Sequence, residues 1–161
     1  MRRLEGTIAM SHIHLSGTRQ HLISQLTFFD EQFAIFLDTY FHDYNRARSE
    51  MDHLIRAYIE KLEAILGGDD EQLEDALTSI VLLGSSAKLK FAEDGLSETY
   101  TVVYPTEADL DQNRISFLSP IGKQLLLAQA EDELEIAGPS GNYQVKIEEI
   151  KYAYIGGFQG I

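Results

Sequence analysis

The 161-residue sequence contains no cysteine, so disulfide frameworks, thiolate metal centres and cysteine nucleophiles are excluded, and a reducing compartment costs the chain nothing. It is also short of positive charge: 13 Lys and Arg face 26 Asp and Glu, a formal net charge of −13. The deficit is even, with 7 basic and 14 acidic side chains in residues 1–83 and 6 and 12 in residues 84–161. Such a chain repels phosphate backbones, which argues against sequence-specific binding of nucleic acid through a basic face. A basic protein surface or a guarded cation suits it better. No window approaches the roughly 20 apolar residues of a membrane span, and no signal-peptide pattern follows Met1-Arg2-Arg3. The expectation is a cytoplasmic protein with no membrane partner. Serine–histidine–acid order, phosphate loops and dinucleotide fingerprints are missing as well.

Backbone breakers are missing from one half of the chain. No glycine lies between Gly17 and Gly67, whereas all three prolines and eight of the twelve glycines lie from Gly84 onward. That shift predicts helix first and short strands later. Leu22, Leu26, Phe29, Phe33, Phe36 and Tyr40 are spaced 4, 3, 4, 3, 4, a coiled-coil seam. A second seam, Met51, Ile55, Tyr58, Leu62 and Ile65, runs in a different register. The change of register flanks Phe41-His42-Asp43-Tyr44-Asn45 and predicts two antiparallel arms, 18–40 and 46–66, joined there. The alternative is one long helix, since no glycine marks the turn. Phe28, Phe41 and Tyr44 lie off the first seam and are expected to be exposed. Residues 1–9 show no pattern, which makes Met10 an alternative start, and residues 1–17 are expected to be irregular. Gly67-Gly68 ends the second arm, and Asp69 or Asp70 caps a short helix over 71–77 within a connector of 67–83.

Residues 84–161 read as a sheet domain. Ala87–Phe91 and Glu98–Tyr104 flank the turn signal Glu93-Asp94-Gly95, and Arg114–Leu118 is a short strand. Ser119 caps a helix over Pro120–Ala128, with proline at its first position. Leu134–Ala137 and Tyr143–Tyr154 flank Gly138-Pro139-Ser140-Gly141-Asn142. The architecture is α+β: a helical hairpin followed by a bent antiparallel sheet carrying one helix.

Thr106-Glu107-Ala108-Asp109-Leu110, Ile115-Ser116, Ser119-Pro120-Ile121-Gly122 and Leu125-Leu126 stand in an order that resembles the carboxy-terminal domain of the bacterial Gre transcription elongation factors. Asp132-Glu133, Pro139-Ser140-Gly141 and Val145…Ile150…Tyr152 continue the likeness, which spans about residues 80–153. The resemblance implies an FKBP-like β domain bearing an amino-terminal coiled coil, and a regulator that docks on bacterial RNA polymerase at its secondary channel. DNA binding is implied at second hand, through the polymerase. Docking is placed around Leu118, Ser119, Pro120 and Gly122, with Leu118 where relatives carry Asp or Asn. At the hairpin tip the family presents an Asp, two variable residues, Glu-Asn, a small residue, an acidic residue and Tyr. Here Asp38, Asp43, Tyr44, Ala47 and Arg48 correspond, but Phe41 stands for the glutamate and His42 for the asparagine.

In that family the tip carboxylates assist a second Mg²⁺ in the polymerase's own active site, so the factor itself is not an enzyme. Asp38 and Asp43 are the candidates for such assistance, and Phe41, His42 and Tyr44 for tip contacts. No cofactor of the chain's own is expected. An aromatic edge cannot ligate a cation and the arm over 18–40 is short, so weak or no stimulation of transcript cleavage is expected. The alternatives are a cleavage-competent factor, an FKBP-like isomerase or chaperone, for which no aromatic-lined pocket could be assembled from the sequence, and a coiled-coil adaptor. His12-x-His14 is not expected to bind metal, for want of a third ligand.

Overall fold

The computed structural model describes residues 2–138 and 140–153, with side chains from Leu15 onward. The side chains of His12 and His14, residue Pro139 and the segment from Tyr154 lie outside that set. The chain forms two compact units that divide at Glu74/Asp75, inside a helix rather than at 83/84.

The first unit is the helical hairpin. Helix α1 runs Arg2–Tyr40 and α2 runs Arg46–Leu66, with the connection at residues 41–45. Residues 2–17, expected to be irregular, are helical. Gly6 and Gly17 cost a helix about 1 kcal/mol each, but neither is a proline, and the residues around them are mostly fair to good helix formers. Helix α1 is therefore 39 residues long, so shortness of the first arm cannot be argued from a start at Thr18.

Every member of the second seam is buried: Met51, Ile55, Tyr58, Leu62 and Ile65. The first seam is only half right. Leu22, Phe29 and Phe36 are buried, but Leu26, Phe33 and Tyr40 are partly exposed. The line through Leu15, Thr18, Leu22, Gln25, Phe29 and Phe36 carries the packing instead. Gln25 is fully buried, and its Oε1 accepts the Tyr58 hydroxyl across the hairpin. A polar residue on a seam hides it from a purely apolar count. Phe28, expected to be exposed, is buried edge-on against Phe29. Phe29 in turn meets Phe36 and Tyr58 edge-on, with centroids 6.0 Å apart in each pair.

At the base, Arg19 donates from Nη1 to the Leu66 carbonyl at 3.0 Å and from Nη2 to Asp70 Oδ1 at 3.1 Å. A guanidinium thus satisfies an orphan carbonyl at the carboxy-terminal end of α2. Asp69 and Gln72 then exchange side-chain and backbone bonds, both 2.9 Å, in a reciprocal cap that starts α3, Asp70–Ser79.

The second unit is a five-stranded sheet of order β3-β2-β1-β5-β4, built from β1 Ser85–Phe91, β2 Ser97–Val103, β3 Arg114–Ser116, β4 Glu133–Gly138 and β5 Gly141–Tyr152. It is mixed rather than antiparallel. Strand β3 pairs parallel to β2, Val102 opposite Ile115. The ten residues between them, 104–113, wind through two 3₁₀ turns and carry the chain back to the end from which β2 began, so the next strand runs the same way. A bulge lies between Lys88 and Leu89 of β1 and the facing residues of β5: Ala87 pairs with Ile150 but Leu89 with Ile147. The extra residue lets Val145, Ile147 and Ile150 all turn inward and be buried.

Helix α4, Pro120–Leu125, stops before the expected Ala128 because Leu126 is extended and Leu127 takes φ +71. Ser119 caps it, accepting Gly122 N–H at 3.0 Å, and donates its hydroxyl to the Ser116 carbonyl at 2.7 Å. Gln124 bonds Ala137 N–H at 3.0 Å and its carbonyl at 3.2 Å, engaging the edge strand β4 as a neighbouring strand would. A Cβ on Gly122 would lie 2.0 Å from the Ser116 carbonyl oxygen. Since that neighbour is backbone, relief requires α4 to move. Gly122→Ala is expected to lower the stability of the full chain by about 2–3 kcal/mol in urea titration, whereas Lys123→Ala, on an exposed position, should leave it within about 0.5 kcal/mol.

Candidate functional site

The hairpin tip is organised by a residue that sequence reasoning noted but gave no role. Asn45 caps α2, its side chain accepting Arg48 N–H at 3.1 Å. That cap aims the Arg48 side chain back across the connection. Its Nη1 donates to the Phe41 carbonyl at 2.7 Å and its Nη2 to Asp38 Oδ1 at 3.0 Å, while the guanidinium carbon lies 4.3 Å from the centre of the Tyr44 ring. The Arg48 side chain is 13% exposed. Three consequences meet in one cation: the orphan carbonyl after α1 is satisfied, a carboxylate is neutralised, and an aromatic ring is stacked. The signal was present, since Asn followed by a helical run is a start signature.

Of the tip candidates, Arg48 therefore brings together Asp38, Phe41 and Tyr44. His42 and Asp43 are exposed and are not part of this cluster. Tyr44 is 87% exposed, as expected for a contact residue, while Phe41 is half-buried. The run Asp38–Tyr44 is seven residues, one fewer than the eight of the family pattern, so Asp43 and Tyr44 stand one position nearer Asp38.

The donor set does not suit a resident Mg²⁺. Such an ion needs hard oxygen ligands in near-octahedral order, but Asp38 already faces a guanidinium and Phe41 offers no lone pair. Among the described residues no three His, Asp or Glu side chains form a group that could hold a metal.

In the sheet unit the docking candidates form one turn. Leu118 and Ser119 are half-buried, Pro120 is exposed and Gly122 is buried against Ser116. The Leu118 N–H bonds to Ser116 Oγ at 3.0 Å, so the turn is held by serine hydroxyls at both ends. Leu118 gives this turn an apolar character. The same unit contains a cavity with aromatic walls, lined by residues including Phe91, Tyr100, Tyr143 and Ile121. No such pocket could be read from the sequence, because its walls come from three strands and a helix that come together only in the folded unit. No described helix is long and apolar enough to cross a membrane.

Residues 76–152 match the family described as transcription elongation factor, GreA/GreB, C-term. The GreA of Christiangramia forsetii is 37% identical over 108 residues, 65% of this chain and 66% of that protein. The GreA of Thermosipho melanesiensis is 34% identical over 109 residues, 68% and 69% of the two chains. A solved structure of a GreA/GreB factor from Nitrosomonas europaea is 27% identical, covers 76% of this chain and 93% of its own, and superposes with a TM-score of 0.52. The chain belongs to the GreA/GreB family of transcription elongation factors, with the α+β fold of a helical amino-terminal region and a carboxy-terminal β domain. It spans just under two thirds of the length of the first of these relatives.

The Arg48 cluster has a direct test. Arg48→Ala removes two hydrogen bonds and a stacked ring, and is expected to lower stability by about 1–2 kcal/mol. Amide exchange at Asn45 and Ser49, which close the turn through bonds of 3.0 and 3.1 Å, should accelerate severalfold. Arg48→Lys keeps the charge without the fork and should fall between the two.

Proposed function

We propose that this chain is a regulator of bacterial RNA polymerase that docks through the Leu118–Gly122 turn of its sheet unit and presents the hairpin tip to the secondary channel, with little or no stimulation of transcript cleavage. The observation that carries this reading is the tip chemistry. The position of the family's glutamate is held by Phe41, and the nearby carboxylate of Asp38 is bound to Arg48. A productive cation site needs anionic oxygens free to converge, and this tip supplies neither a ligand at residue 41 nor an unengaged one at residue 38. Any bond cleavage would be the polymerase's own chemistry. What remains is occupancy: an acidic factor with an exposed aromatic at its tip, able to compete for the channel or bias polymerase conformation. That work would take place in the cytoplasm.

The full chain should co-purify with bacterial RNA polymerase, and Pro120→Ala should weaken binding by roughly 3- to 10-fold, the effect of losing one well-placed apolar contact. A backtracked elongation complex at millimolar Mg²⁺ should show no added cleavage with the wild-type protein. Gain of cleavage with Phe41→Glu would identify the missing ligand as the cause. Strong cleavage by the wild type, lost in Asp38→Ala, would overturn the proposal.

A further inference from the structure

The inner face of the sheet is apolar along β1 and β5 but not at one end of β2. By strand register Leu89 lies opposite Glu98 and Ala87 opposite Tyr100, so a carboxylate and a phenol share the face that Leu89, Val145 and Ile147 bury. There the sheet leaves a cavity of about 330 Å³. Its floor is Leu89, Ile136 and Val145, all at most 4% exposed. Its walls are the half-buried Phe91, Tyr100, Tyr143 and Ile121. The rings of Phe91 and Tyr143 stand at 86° with centroids 6.3 Å apart, edge to face. The rim carries Glu93, Asp94 and Glu98, and no Lys, Arg or His lines the cavity.

We propose that this cavity is a binding site for a small organic cation, an alkylammonium group on a short apolar body. Ring faces carry negative electrostatic potential and attract such ions, whose charge is diffuse and whose desolvation is cheap compared with that of a metal ion. The three carboxylates add a long-range field of the same sign. The cations nearest in sequence do not compensate it: Lys88 and Lys90 alternate onto the other face of β1, and Lys146 pairs with Glu131 at 3.1 Å. The Tyr100 phenol, on the cavity wall, donates its hydrogen bond to the Glu98 carboxylate. Burial, its hydrogen bond to Glu98 and the charge of that carboxylate push its pKa up to about 12. The volume holds about ten water-sized groups, enough for one such cation. This inference does not depend on the polymerase reading, and either can fail without the other.

Choline is a suitable probe, because replacing its trimethylammonium by tert-butyl gives a neutral compound of nearly identical shape. Both are titrated into the full-length protein while backbone and tyrosine ring resonances are followed by NMR. Choline should bind with a dissociation constant on the order of a millimolar, as expected for so few atoms. Shifts should centre on Leu89, Phe91, Glu98, Tyr100 and Tyr143. The neutral isostere should bind at least about tenfold more weakly. Glu98→Gln, at an exposed position that leaves the fold intact, should weaken choline binding by about threefold, and Tyr143→Leu by about tenfold. Equal binding of the isostere would overturn the proposal, as would shifts that map elsewhere or binding unaffected by Glu98→Gln. No saturable shift at tens of millimolar would overturn it too.

Discussion

The sheet unit hangs on the approach of α4 to the end of β3. The Ser116 carbonyl receives the Ser119 amide at 3.0 Å and the Ser119 hydroxyl at 2.7 Å, and the backbone of Gly122 passes where no side chain fits. Because the helix is pinned at its first turn, Leu125 is driven into the core and Gln124 reaches the edge of β4. Ile121, on the same turn, becomes a wall of the cavity, and Pro120 stays at the surface. A helix of six residues has little stability of its own. Its position comes from the serine bonds and from glycine's missing Cβ. The turn at 118–122 and the cavity are therefore two faces of one packing constraint.

The hairpin uses a different economy. Its middle is aromatic and aliphatic, with Phe29, Phe36, Tyr58 and Leu62 all at most 1% exposed. Its ends are held by two arginines, Arg19 at the base and Arg48 at the tip, each donating to a backbone carbonyl at or just beyond a helix end. Apolar burial is directionless and would tolerate sliding of one arm along the other. Directed bonds at the ends, with the buried Gln25–Tyr58 pair between them, set the register.

Much of this was legible in the sequence because it follows from periodicity and breakers. The second helical seam, the turn at 41–45 and the strand pairs around Gly95 and Gly141 are local signals. The start of α1 was not, since two glycines without proline look like a break but cost a 39-residue helix little. Nor was the true first seam, where Thr18 and Gln25 occupy positions a hydrophobic count skips. The parallel β2–β3 pair was hidden because a non-local register leaves no local mark. Residue by residue, the tip's departure at Phe41 could be read directly. The cation that ties Asp38, Phe41 and Tyr44 together could not, because Arg48 acts across the turn, ten residues from Asp38.

Tyr44 combines two properties that normally exclude each other. A ring 87% exposed ordinarily samples several rotamers, and ordering it on contact with another surface costs part of the affinity gained. Here the Arg48 guanidinium lies against the ring, and that guanidinium is itself fixed by two hydrogen bonds. The ring is thus displayed in nearly the orientation it would keep when covered. The rotamer entropy is spent when the hairpin folds, so any surface that meets the tip receives the aromatic contact almost free of ordering cost.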